Sequence, residues 1–247
     1  MQDYDSYSMN IRERVLYTGG AAMVIFAVAF IFYRSIMLSA LLVPLALLYP
    51  RLKTREIIAK RKKELNIQFK DMLYSLSSSI SAGKTVEAAF REVLKDLSVL
   101  YPEPDTFILV EVRRIISRLE MNETIEAALS DLAMRAKLED VENFASVFNI
   151  SKRSGGNIVE VVKNTSAIIN DRIEVGQEVD TMLAERKFEQ KVLNIVPILM
   201  ILLLSASAPD YMNPVFSTGA GRLTMSISII LLIAAWFISS KLSDIKL

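Results

Sequence analysis

The chain contains no cysteine and no histidine among its 247 residues. Disulfides, thiolate nucleophiles, Cys/His zinc sites and imidazole acid–base chemistry are therefore excluded. An excess of one charge is lacking too: 29 lysines and arginines meet 28 aspartates and glutamates, a net charge of +1. That balance gives no argument for nucleic-acid binding, which needs a local basic patch. Seven prolines and eight glycines are too few for extended disorder. An all-carboxylate metal site is the one metal class left open, and no cofactor is expected.

What is abundant is apolar residues, 52% of the chain. They gather in two windows, Tyr17–Pro50 and Val192–Ser239. The first holds YTGGAAMVIFAVAFIFY over Tyr17–Tyr33 and IMLSALLVPLALLYP over Ile36–Pro50. Each arm is shorter than the ~20 apolar residues of a usual span, and Val15 and Leu16 extend the first. The expectation is a transmembrane hairpin over 17–50 turning at Arg34 and Ser35. A single bent span or a re-entrant second arm is the alternative. Tyr17, Tyr33 and Tyr49 sit where interfacial aromatics belong, and Pro44 is tolerated in a packed bundle.

The second window holds VLNIVPILMILLLSASA (Val192–Ala208) and LTMSISIILLIAAWFIS (Leu223–Ser239). This predicts a second hairpin over 192–240, with an outside loop at 209–222 that carries two prolines and two glycines. Buried core helices are the competing reading, but the charged centre is too small to wrap four of them. No acidic residue lies in the apolar runs, so an ion or proton path has no candidate groups.

Lysines and arginines set the expected topology. Arg51, Lys53, Arg55 and Lys60 to Lys63 follow the first window, and Arg186, Lys187 and Lys191 precede the second. Arg12 and Arg14 precede the first span, and Lys241 and Lys246 follow the last. Both termini (1–16 and 241–247) and the centre are expected on the cytoplasmic side. Asp3 and Asp5, without a basic n-region, argue against a cleavable signal peptide. The basic flanks also suit anionic membrane lipids.

The centre, 51–191, holds most of the charge and repeats apolar residues at helical spacing. Leu65, Phe69, Met72, Leu73 and Leu76 form one stripe. Val86, Ala89, Phe90, Val93, Leu94 and Leu97 form the next. Phe107, Val110, Ile115 and Leu119 follow, then Ile125, Ala128, Leu129 and Leu132, then Leu138, Val141, Phe144, Ala145 and Phe148. A last helix is expected from Asn157, through Ile158, Val161, Val162, Thr165, Ile168, Ile169 and Ile173 to Glu189, and on into the third apolar run. Gly176 weakens it locally. Gly83 and the Gly155-Gly156 pair mark breaks, and Thr85 and Thr124 read as helix caps. About six helices in an antiparallel bundle, with no strand, is the prediction. Thr85-Val-Glu-Ala-Ala-Phe90 resembles Thr124-Ile-Glu-Ala-Ala-Leu129, as a duplicated unit or a common helix opening would.

Candidate chemistry is sparse. Ala82-Gly83-Lys84-Thr85 lacks the first glycine of a phosphate loop, since position 78 is Ser78, and no strand precedes it. Gly155-Gly156, beside Lys152 and Arg153, suits either an anion or a tight helix connection. Glu139, Asp140 and Glu142 cluster, as do Glu174, Glu178 and Asp180. Solvated or partner-facing surfaces explain these better than a two-carboxylate active site. The expectation is that the chain is not an enzyme.

Four segments together resemble one family. Ser78–Phe90 (SSISAGKTVEAAF) matches a "GxxxxxAF/L" helix start. Ser154-Gly-Gly-Asn-Ile-Val-Glu160 matches an "SGGNLAEVL"-like element. Thr181–Lys187 (TMLAERK) precedes the third span. Pro209-Asp-Tyr-Met-Asn-Pro-Val-Phe216 with Thr218 is similar to an "NPDYMxPLFxT" loop. The chain thus resembles the type II secretion system F domain family, in its TadB-like branch of tight-adherence (Flp, type IVb) pilus platforms. The resemblance implies an all-α membrane protein, GspF/TadB-like, with four transmembrane helices flanking a cytoplasmic antiparallel helical bundle. It implies a non-enzymatic inner-membrane scaffold coupling a hexameric ATPase to polymerisation of prepilin subunits. A paralogous platform protein and homo- or hetero-oligomers are the other implied partners. On this reading Gly83, Gly155 and Gly156 are structural turns. Arg153, Glu160, Arg172, Glu174 and Glu178 are candidate motor contacts. A small polytopic transporter or channel component is the competing function, and it needs more polar residues in the spans.

Overall fold

A computed structural model describes residues 4–242, with side chains through residue 239. Asp3, Lys246 and most of the tail expected at 241–247 lie outside the described residues. Helices account for nearly all of the remainder, and no strand occurs among the described residues. The chain divides into two compact units. One comprises Met1–Ser8 and Thr54–Val175, the other Met9–Lys53 and Gly176–Leu247.

The first unit is a helical bundle. It takes the larger part of α3 (Tyr49–Ser81), then α4 (Val86–Leu100), α5 (Phe107–Glu120), α6 (Ile125–Ala136) and α7 (Glu139–Arg153), and the start of α8 (Ile158–Ser207). Successive helices from α4 to α7 pack on one another. Phe69, Phe90, Phe144 and Phe148 are fully buried at its centre. Phe69 meets Phe144 edge-on at 5.7 Å between ring centroids. Each of these side chains contributes about 1.5–3 kcal/mol on burial.

The apolar stripes of α3 and α6 are buried throughout, as the spacing predicts. That of α5 is displaced. Its buried face is Ile108, Leu109, Glu111, Val112 and Ile115, whereas Phe107, Val110 and Leu119 are only partly buried. A carboxylate sits in the middle of the true stripe, so counting apolar residues shifts the face. Ile168 of α8 also departs from its expected place: it is exposed. Val162 and Ile169 are buried, with Ile158 and Ile173 packed against the same core.

Caps follow the predicted positions. The Thr85 hydroxyl accepts the Ala88 amide at 3.3 Å, and the Thr124 hydroxyl accepts the Ala127 amide at 3.3 Å. In both copies of the echo the second alanine and the following Phe90 or Leu129 are buried. Thr85→Ala and Thr124→Ala should each cost about 1 kcal/mol. Chemical unfolding of the full chain measures this. An unchanged midpoint for both variants counts against the caps.

Helix α5 is capped from elsewhere. The Thr106 side chain makes no cap bond. Instead the buried Gln68 of α3 accepts the Ile108 amide at 3.1 Å. One orphan donor of the helix N-terminus is thereby satisfied across the bundle.

The second unit holds α1 (Ile11–Tyr33), α2 (Ile36–Leu42), a 3-10 segment (Val43–Leu48), the first residues of α3, the later part of α8, α9 (Pro209–Ser217) and α10 (Gly219–Leu242). The chain turns at Arg34, whose backbone is left-handed at φ 45°. Pro44 lies at the start of the 3-10 segment. It lacks the amide an α-helix needs there, and the tighter ladder accommodates the loss.

Four stretches are long and apolar enough to cross a membrane: Ile11–Tyr33, Ile36–Ser81, Ile158–Ser207 and Gly219–Ser239. Only 11%, 17%, 6% and 6% of their apolar windows are buried. Helices so uncovered have no place in water, and a bilayer is the solvent that suits them. Core helices of a soluble domain are thereby excluded as the account of these runs. Helix α8 extends unbroken from Ile158 through Gly176 and Pro197 to Ser207.

The segment expected as a loop at 209–222 is mostly helical. Pro209 occupies the first turn of α9, where its missing amide costs nothing. Thr218 ends that helix and caps the next, its hydroxyl accepting the Gly221 amide at 3.1 Å. Gly221 allows the two helices to meet: a Cβ there would lie 2.6 Å from the Val215 Cα. Phe32, Met212 and Met225 form a small buried cluster with Ile198, Val215 and Ile229 around them.

Candidate functional site

The first unit contains a buried polar cluster that no spacing rule exposes. Glu111 of α5 is 1% exposed and Arg135 of α6 is 9% exposed. The guanidinium grips both carboxylate oxygens, each at 2.5 Å. Two parallel charge-assisted bonds are the geometry in which a buried pair holds together. The Tyr4 hydroxyl donates to Glu111 Oε1 at 2.7 Å. Burial, then the Glu111 charge, pushes the Tyr4 phenol far above its usual range.

Around this pair the charges continue toward the surface. Arg135 Nε donates to Asp131 at 2.9 Å. Arg118 and Arg114 also face Asp131, at 3.1 and 3.4 Å. Burial opposes the Asp131 charge, but Arg135 and then Arg114 and Arg118 outweigh it and hold its carboxyl below the usual range. This is a structural ion-pair network. Its carboxylates, Glu111 and Asp131, are both paired with arginines.

The glycines of the sequence reading fall at turns. Gly83, between α3 and α4, has φ 84°, and Gly155, between α7 and α8, has φ 70°. Side chains with a Cβ rarely adopt either conformation. Gly156 is constrained differently. A Cβ there would lie 2.6 Å from Ser151 Oγ and 3.3 Å from Ser151 O, and its amide donates to that carbonyl at 2.7 Å. At the start of α8 the Asn157 side chain accepts the Glu160 amide at 3.3 Å.

The candidate motor-contact residues are divided between the two units. Arg153, Glu160, Arg172 and Glu174 belong to the first unit and Glu178 to the second. All are exposed. Arg172 Nη1 is paired with Asp140 at 2.8 Å and lies 3.8 Å from Glu139, so it ties α8 to α7. Glu174 and Glu178 lie one turn apart on α8.

An open groove of about 640 Å³ lies between α3 and α8 of the first unit. Lys70, Tyr74, Ser78, Lys163 and Asn170 line it. Its one carboxylate, Asp71, accepts the Tyr101 hydroxyl at 2.6 Å and pairs with Lys70 at 3.2 Å. No group of His, Cys, Asp or Glu suited to a metal ion occurs among the described residues.

In the second unit the Arg34 guanidinium lies 5.8 Å from the Phe216 ring centroid. Tyr33 and Ser226 share a hydrogen bond of 2.8 Å, and Arg222 donates to the Phe216 carbonyl at 3.1 Å. The turn after α1 and the start of α10 are thus joined, through Tyr33 and Ser226 of the apolar runs and through Arg34 at the expected turn with Phe216 of the expected loop.

An all-helical chain with four bilayer-length apolar helices and a charged bundle is an all-α membrane protein. The family model described as "Type II secretion system (T2SS), protein F" matches residues 72–206, more than half of the chain. The chain belongs to that family, and so to a class of secretion and pilus platform proteins. No curated protein and no solved structure matches it.

Proposed function

We propose that the chain is a non-enzymatic platform protein of the inner membrane, serving a tight-adherence (Flp, type IVb) pilus of the TadB-like kind. The observation that carries this reading is the family match over 72–206, which takes in the helical bundle and the apolar end of α8. The 209–218 segment, similar to that branch's "NPDYMxPLFxT" element, supports the pilus assignment. The bundle and both termini face the cytoplasm, following the basic flanks. There the bundle engages a hexameric ATPase. The apolar helices receive prepilin subunits and a paralogous platform protein.

On this reading exposed charges on α7 and α8 meet the motor, with Arg153, Glu160, Glu174 and Glu178 the free-facing members and Arg172 positioning α8 on α7. Affinity purification of the full chain from native membranes is expected to recover the ATPase. The triple variant Arg153→Glu, Glu174→Lys, Glu178→Lys should reduce recovery about tenfold, ~1.4 kcal/mol, with unchanged thermal unfolding. Full recovery by that variant removes these residues as contacts. A wild-type preparation that never holds the ATPase removes the coupling role.

A further inference from the structure

Residues 4–8 of the first unit lie against the bundle without helix or strand of their own. Tyr4 is 2% exposed, with its ring edge-on to Phe107 at 5.6 Å. Its hydroxyl reaches Glu111 at 2.7 Å and its amide donates to the Arg135 carbonyl at 3.2 Å. Asp5 pairs with Lys62 at 2.6 Å and with Lys137 at 3.3 Å. The Arg61 guanidinium stands 4.3 Å from the centroid of the Tyr7 ring. Ser6 is exposed.

Three side chains are thus read by three different chemistries. A phenol fills a pocket with an acceptor at its end. A carboxylate meets two ammonium groups. A second aromatic lies under a guanidinium. The pocket does not depend on its occupant for its charge balance, because Arg135 already holds both oxygens of Glu111. With Tyr4 withdrawn, Glu111 keeps its Arg135 counter-charge. The Tyr4 backbone bond, the burial of its ring and the pairings of Asp5 and Tyr7 are set against the entropy of ordering the segment. Such segments open locally without the whole domain unfolding.

We propose that this surface is a recognition site for an extended peptide of the pattern Tyr-Asp-x-Tyr, held here in cis by Tyr4-Asp5-Ser6-Tyr7 and open to the same pattern in trans once that strap is released. The phenol gives affinity through burial. The acid and second aromatic give register.

The test uses the full chain in lipid nanodiscs and a synthetic peptide, MQDYDSYSMN, with the sequence of residues 1–10. In the wild type the Tyr4 amide is expected to exchange with deuterium at least about tenfold faster than the α5 and α6 core amides, while still slower than a free peptide. Asp5→Lys should release the strap and bring its exchange to the free-peptide rate, with the core unchanged. The wild-type peptide should then bind this variant saturably and bind the wild-type chain at least tenfold more weakly. A peptide carrying Tyr4→Ala should not bind. Tyr4→Ala in the full chain provides a second released form with the same expected binding. Strap exchange in the wild type that matches core unfolding overturns the proposal, because the segment is then an inseparable part of the core. So does a strap that stays protected in both variants. So does failure of the peptide to bind either released chain.

Discussion

Replacing Arg135 by methionine should destabilise the helical bundle by about 3–5 kcal/mol. The pair it breaks is enclosed: Glu111 is 1% exposed and loses two bonds of 2.5 Å. The carboxylate is then left with the Tyr4 hydroxyl as its one remaining donor among the bonds described above. An ionised carboxylate without a counter-charge in a dry site is costly because burial penalises the charged form. Asp131 loses a partner too, but it retains Arg114 and Arg118 nearer the solvent. The loss therefore centres on Glu111.

The companion variant decides the cause. Glu111→Leu with Arg135→Met removes both charges and fills the space with apolar atoms, an exchange that is often neutral or stabilising. Most of the lost stability should return. Thermal unfolding of the full chain in detergent, followed by helical circular dichroism, gives the double-mutant cycle. A single variant as stable as wild type would show that the pair is solvated. A double variant no better than Arg135→Met would show that packing around the arginine stem is what matters.

On the proposed pilus-platform role, converting Gly155 and Gly156 together to valine should abolish piliation while leaving membrane insertion intact. The two positions fail for different reasons. At Gly155 the backbone is left-handed, φ 70°. A β-branched residue there costs about 1–2 kcal/mol or more. At Gly156 the new Cβ would press on Ser151 at 2.6 Å, and the larger valine adds further atoms. Relief requires the α7–α8 connection to move, which shifts the start of α8. Insertion depends on the apolar runs, which are untouched.

Gly155→Asn separates conformation from mere smallness, because asparagine enters the left-handed region. That variant should pili normally. Electron microscopy of cells and fractionation of membranes read both outcomes. Normal pili on the double valine variant would remove the geometric role of the turn. Loss of the protein from the membrane would show a folding defect larger than the local geometry explains.

Most of the architecture was legible from one-dimensional patterns. Runs of apolar residues identify the four bilayer-length helices, because bilayer thickness imposes a length that composition alone can satisfy. Three- and four-residue spacing located α3, α4, α6 and α7, and threonines marked the starts of α4 and α6. These signals are local: each depends on residues within one or two helical turns.

Most of the errors share one feature, which is that the deciding partner is distant in sequence; the 209–222 segment is the exception. The stripe of α5 was misplaced because Glu111 belongs to it, and only Arg135 on another helix makes a buried glutamate tolerable. Gln68 was unremarked because its role is to cap a helix 40 residues away. The 209–222 segment read as a loop because its prolines were counted as breakers, although Pro209 sits in a first turn. The pairing of Arg172 with Asp140, 32 residues away, is likewise not visible in local spacing.

By itself, then, the sequence determined the helical class, the four membrane-length runs, the charged centre and the absence of Cys and His chemistry. These follow from composition and periodicity, which are additive properties of short stretches. Tertiary structure alone decided which polar groups enter the core, that Gly156 is held by a steric contact with Ser151, and that Tyr4 docks on Glu111 and Arg135. Those outcomes depend on pairs far apart in the chain, whose energies exist only once folding has brought them within bonding distance.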